Sequence, residues 1–156
     1  SALLALTMVF ALVACGSNGG QSQTEAPDLQ AYYDDFMASL GDNAPMMMAI
    51  EGDMLESAYP GLSDYTLKQS VLQMAGISAV AFEMALVETE SEEDAQAVEE
   101  IFQARVDSQI QGGAMYPATI EAWENASVLV EGCVVALIVA GEDQAAAVDA
   151  FNALFA

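Results

Sequence analysis

Histidine is absent from this 156-residue chain, and the only basic side chains are Lys68 and Arg105. The first absence removes Ser-His-Asp and Cys-His catalysis, His-based zinc sites and the commonest general base near neutral pH. The second removes the cationic surface that nucleic-acid phosphates or anionic headgroups require. Tryptophan occurs once, so a sugar-cleaving pair of carboxylates would lack the aromatic platforms that sugars rest on. No Ser-x-x-Lys is present, and Gly112-Gly113 is not followed by the Lys-Ser/Thr of a phosphate loop. An enzyme is therefore not expected, and no catalytic residue or cofactor is assigned.

What the chain has in abundance is negative charge: 24 acidic residues against two basic ones, a net −22. All of these charges follow Cys15. Such an excess keeps a protein soluble and makes neighbouring molecules repel; the sharper readings are cation binding or attraction of a basic partner. Glu88, Glu90, Glu92, Glu93 and Asp94 crowd one segment, with smaller groups at Asp34-Asp35 and Glu142-Asp143. None has the Asp-x-Asp-x-Asp-Gly spacing of a calcium loop, so the metal ligands are left unknown. Apolar residues make up 54% of the chain, too many for intrinsic disorder of the whole.

The apolar residues begin early. Between Ala2 and Ala14 only Thr7 is polar, and the run ends in Leu12-Val13-Ala14-Cys15-Gly16. An apolar run closing on small residues is a secretory signal, and a cysteine directly after Leu-Val-Ala resembles a bacterial lipobox. There the Cys15 sulfur receives a diacylglycerol and the signal is cut before it. A helix of this run would be about 20 Å long, short of a ~30 Å hydrocarbon core. The chain starts at Ser1 with no basic segment before the run, and the expectation is a signal truncated at its start. The expected division is residues 1–14 as signal peptide, 15–27 as lipidated Cys15 and flexible linker, and 28–156 as one acidic domain. The linker, rich in Gly, Ser, Gln and Asn, would span about 20 Å. With Cys15 committed to lipid, Cys133 is expected to have no intrachain disulfide partner. It lies in the apolar run Val130–Val139 and reads as a small core residue.

Periodicity organises the rest. Leu29, Tyr32, Tyr33, Phe36, Met37 and Leu40 keep helical spacing from Asp28 to a stop at Gly41. A second, looser helix is expected from about Pro45 to Tyr59, with Met46-Met47-Met48 filling core gaps. Two strands follow, Leu67 to Ala75 and Ala79 to Thr89. In the second, Val80, Phe82, Met84 and Leu86 share one face by period two; the other face carries small residues and one acid, Glu83, and reads as partly covered. Ser91 caps a long helix with the stripe Ala95, Val98, Phe102 and Val106, ending at Gly112-Gly113. Tyr116-Pro117 opens a shorter helical piece through Trp123. Ser127 to Glu131 and Cys133 to Ala140 form a hairpin whose second strand is apolar on both faces. A closing helix runs from Glu142, with Val148, Phe151 and Phe155 inward. The fold class is α+β: one domain, an antiparallel sheet of about four strands packed by helices in the order α-α-β-β-α-β-β-α. Lys68 and Arg105 are expected to pair with surplus acids, Arg105 with Glu99 and Asp107 nearby in sequence. A carboxylate ligand held by the planar fork of Arg105 is the functional alternative.

Ser91-Glu92-Glu93-Asp94-Ala95, Phe102-Gln103-Ala104-Arg105 with Gln109, Tyr116-Pro117, Trp123-Glu124-Asn125-Ala126, and Gly132 before Val134-Val135-Ala136-Leu137 follow one another along the chain. With the lipobox in front, the chain from Asp28 to Phe155 resembles a family of uncharacterised lipoproteins of low-GC Gram-positive bacteria, a domain of unknown function. The resemblance implies a small α+β domain displayed on the outer face of the cell membrane, with Cys15 as its one modified residue. It implies no activity. The expected function is a membrane-anchored, extracytoplasmic, non-enzymatic binding or interaction module. Its expected partners are the lipid bilayer and an unidentified protein or small ligand, and not nucleic acid. The alternative is a small-ligand or calcium-binding lipoprotein associated with a transporter.

Overall fold

A computed structural model describes residues 26–156. The expected signal, Cys15 and the expected linker up to residue 25 lie outside the described residues. Of the remaining linker, Ala26 packs against the core and the Pro27 carbonyl accepts from Gln69 Nε2 at 3.0 Å.

Helix α1 (Leu29–Leu40) starts where the Asp28 carboxylate accepts from the Ala31 amide, and it buries Leu29, Tyr32 and Phe36. A short strand β1 (Met47–Ala49) and helix α2 (Asp53–Ala58) follow. Strands β2 (Leu67–Ala75) and β3 (Glu83–Thr89) pair antiparallel. Helix α3 (Glu92–Ser108) is capped by Ser91 Oγ, which accepts from the Asp94 amide at 3.1 Å. It passes into a π turn at Gln109–Gly113. Helix α4 (Pro117–Glu124), strands β4 (Ser127–Glu131) and β5 (Val134–Val139), and helix α5 (Gln144–Asn152) complete the chain.

The fold class is α+β, with one antiparallel sheet packed by helices. The sheet has five strands in the order β1-β2-β3-β5-β4. The fifth strand corrects the expected count of about four, and it lies inside the segment expected to be a helix from Pro45 to Tyr59. Met and Ala favour a helix, but the outer edge of β2 offers unpaired backbone groups. Met47, Met48 and Ala49 pair there with Ala75, Met74 and Gln73. The Ile50 amide donates to the Leu72 carbonyl and the Gly76 amide to Met46, both at 2.9 Å. Helix is left only to Asp53–Ala58. The second predicted strand is shorter than expected: it begins at Glu83, and residues 76–82 form the loop before it.

Both sheet faces are covered. Val71, Met84, Leu86, Val134, Ala136 and Ile138 meet α1 and α5 in one core, where Tyr32 stands edge-on to Phe151 at 5.8 Å. Leu72, Ala85, Val87, Val135, Leu137 and Val139 meet α2, α3 and α4 in the other. Every residue of β5 is buried, as its unbroken apolar run requires. The tight turn from β4 to β5 holds Gly132 at φ 60°, where a Cβ would be strained. Cys133 beside it is buried, as expected. It is also disulfide-bonded. This corrects the expectation of a cysteine without a partner, which had assumed that lipid consumes the other sulfur. Among the described residues no helix is long and apolar enough to cross a membrane.

Candidate functional site: a buried ion pair in the wall of a cleft

Glu83 is the one acid in the apolar stretch Phe82–Val87, and its period-two neighbours Ala85 and Val87 point at α3. Its side chain therefore enters the α3-side core, where it is 1% exposed. Arg105, on the inner side of α3, meets it with a two-pronged contact: Nε to Oε1 at 3.0 Å and Nη2 to Oε2 at 2.8 Å. Tyr59, at the end of α2, donates its hydroxyl to Glu83 Oε1 at 2.5 Å. The guanidinium lies 5.3 Å from the Trp123 ring and 6.0 Å from the Tyr59 ring, within range for a cation–π contact. Three segments far apart in sequence thus meet at one carboxylate, and a fourth brings Trp123 against the guanidinium.

The electrostatics follow from burial. Tyr59 is fully buried, and desolvation, then the adjacent Glu83 charge and hydrogen bond, push its pKa well above 10, with Arg105 opposing. Burial works against the Arg105 charge, but the Glu83 hydrogen bonds and charge more than offset it and raise its pKa. Breaking such a pair costs far more than an exposed ion pair contributes.

Arg105 and Glu83 also form part of the wall of an open cleft of about 120 Å³. On one side stand Ile77, Val80 and Ala81 of the β2–β3 loop; on the other stand Gly113 and Ala114 of the π turn and its exit, with Thr119 and Trp123 of α4. Within the π turn Gly112 sits at φ 153°, where an L side chain would be strained. Several large apolar side chains are exposed on these same segments: Ile77 60%, Val80 38%, Met115 74% and Tyr116 48%. Met46, whose carbonyl binds the Gly76 amide at the root of the β2–β3 loop, is 82% exposed.

The sequence candidates fall in different places. Arg105 does pair with an acid, but its partner is Glu83 rather than Glu99 or Asp107, and its fork is filled from within the chain. Lys68 forms an ion pair with Glu88 at 3.6 Å. Glu88 also accepts from Gln69 Nε2 at 2.8 Å, which draws it away from the acidic crowd that follows. Among the described residues, no three His, Cys, Asp or Glu side chains stand close enough to hold a metal ion. The methionine run divides: Met47 packs on the core, whereas Met46 and Met48 are exposed, because an edge strand alternates its faces. This corrects the assignment of all three to core filling. Cys15 lies outside the described residues. Sequence reasoning passed over Glu83 as a site residue, although a lone acid between Phe82 and Met84 in a strand otherwise apolar was the available signal.

The fold and the site define a three-layer α+β domain with a self-neutralised ion pair in the wall of a small cleft of mixed polar and apolar lining. A family model described as a domain of unknown function (DUF4358) matches residues 39–140, and the chain belongs to that family. Neither a curated protein nor a solved structure matched it.

Proposed function

We propose that this chain is an extracytoplasmic lipoprotein of the low-GC Gram-positive type, anchored through a diacylglycerol on Cys15, whose domain is a non-enzymatic binding module. The anchor is supported by the apolar run and the Leu12-Val13-Ala14-Cys15 junction ahead of the acidic domain. Two acyl chains, at about 0.8 kcal/mol per buried CH₂, would hold such a molecule on the bilayer. Binding is supported by one observation above all: exposed Ile77, Val80, Met115 and Tyr116 gather on the segments that flank the cleft. Apolar side chains grouped in this way are a common mark of an interaction surface. A reacting role is disfavoured because Glu83 and Arg105, the charged groups on the cleft wall among the described residues, engage each other. The small-ligand alternative draws on the same cleft. Calcium has no arrangement of described residues in its favour.

Cys15→Ala tests the anchor. Lipid label on the chain should be lost and uncut precursor should accumulate; unchanged labelling and membrane fractionation would overturn the assignment.

A further inference from the structure

We propose that the cleft between the β2–β3 loop and the π turn is a socket for one large apolar side chain carried on a basic segment of a partner protein. This assignment rests on the binding-module reading and names its site and partner chemistry. The size fits: about 120 Å³ is a little less than the ~150 Å³ cavity that accommodates benzene, enough for the end of one Phe or Leu. The lining is mixed. Ile77, Val80 and Trp123 supply apolar surface beside the polar Ser78, Gln109 and Thr119; Ile77 and Val80 reach into solvent, as does Met115, the neighbour of the lining Ala114.

Charge selects the occupant. The cleft wall is neutral, because Glu83 and Arg105 cancel each other, so an apolar group meets no unmatched charge there. The other cation, Lys68, is paired with Glu88, and the chain as a whole carries −22. A second copy of the chain would bring the same charge and be repelled. A phosphorylated or anionic ligand would face the same field. A segment rich in Lys or Arg is drawn to it, and such complementarity guides encounter and suppresses wrong partners. The proposed division of labour is therefore long-range attraction by the acidic body and local discrimination by the cleft.

Three acetylated, amidated peptides test this against the isotope-labelled full chain in detergent micelles, followed by NMR: Lys-Phe-Lys, Lys-Ser-Lys and Glu-Phe-Glu. Lys-Phe-Lys should shift the Trp123 indole and the Ile77, Val80 and Ala114 amides, with an apparent Kd about tenfold or more below either other peptide. Ile77→Ser with Met115→Ser should weaken it several-fold while the core resonances stay in place. Equal binding of Lys-Ser-Lys would reduce the effect to unspecific charge attraction and overturn the socket. Equal binding of Glu-Phe-Glu would make the cleft a small apolar-ligand site and overturn the basic partner. Shifts confined to other surfaces, or no shift with any peptide, would also overturn it. None of these outcomes depends on Cys15, so the socket can fail while the anchor stands, and the reverse.

Discussion

Replacing Glu83 by Gln removes one charge from the most buried ion pair of the domain and changes almost nothing else in shape. Gln can still accept from Tyr59, but Arg105, whose side chain is 11% exposed, is left without its counter-charge. Removing one partner of a buried pair costs about 3–5 kcal/mol. Because Gln retains hydrogen bonding and Arg105 borders an open cleft, the lower end, about 3 kcal/mol, is expected. Domains are stable by about 5–15 kcal/mol, so this is a large share of the total. With a urea slope of about 2 kcal/mol/M, the unfolding midpoint should fall by roughly 1.5 M. Arg105→Met should cost about as much, since it strands the Glu83 carboxylate in the core. The double variant carries neither charge and should lose far less than the sum of the two singles. Urea unfolding by circular dichroism measures all three. A cost below about 1 kcal/mol for each single variant, or strict additivity in the double, would refute the view that the pair is buried and mutually dependent.

Three further outcomes are expected. Tyr32 and Tyr59 both have pKa values raised by burial. Their folded pKa values exceed the unfolded one, so native tyrosine stays protonated after unfolded tyrosine ionises near pH 10. Stability should then be insensitive to these groups below pH 10 and fall above it, with a slope approaching about 2.7 kcal/mol per pH unit if both contribute; tyrosinate absorbance at normal pKa values in the folded chain would contradict this. Ser91→Ala should remove the cap on the Asp94 amide and cost about 1 kcal/mol, read as a melting temperature lower by about 4 °C; no change would mean that the cap is dispensable. Finally, raising salt from 0.01 to 1 M shortens the screening length from about 30 to about 3 Å, so a chain of net charge −22 should melt higher in salt; a fall would show that its ion pairs outweigh its self-repulsion.

Much of the architecture was legible because it is local or periodic. The Asp28 and Ser91 caps, the α1 and α3 stripes, the Tyr116-Pro117 start and the β4–β5 hairpin each depend on residues within a few positions of one another. β1 was not legible. Met46-Met47-Met48-Ala49 favours helix by propensity, and only the open edge of β2, some 25 residues further on in the sequence, makes it a strand. The limit of the β3 strand was misplaced for a related reason: residues 79–81 continue the alternation, yet the partner strand β5 ends opposite Glu83, at Val139.

The sequence by itself determined the chemistry that is available. The chain has no imidazole, two cations, a large acidic excess, apolar faces of known period and one cysteine placed after an apolar run. Those are properties of composition and short spacing, and folding does not alter them. Tertiary structure alone decided which charges meet. Arg105 lies nearer in sequence to Glu99 and Asp107, but an inward position on α3 cannot reach side chains that point to solvent, whereas β3 turns Glu83 toward it from 22 residues away. The cleft arose in the same way, from a loop and a turn brought opposite each other by sheet pairing and helix packing. Neither segment carries a signature of that meeting, because contact between distant residues is a property of the assembled layers.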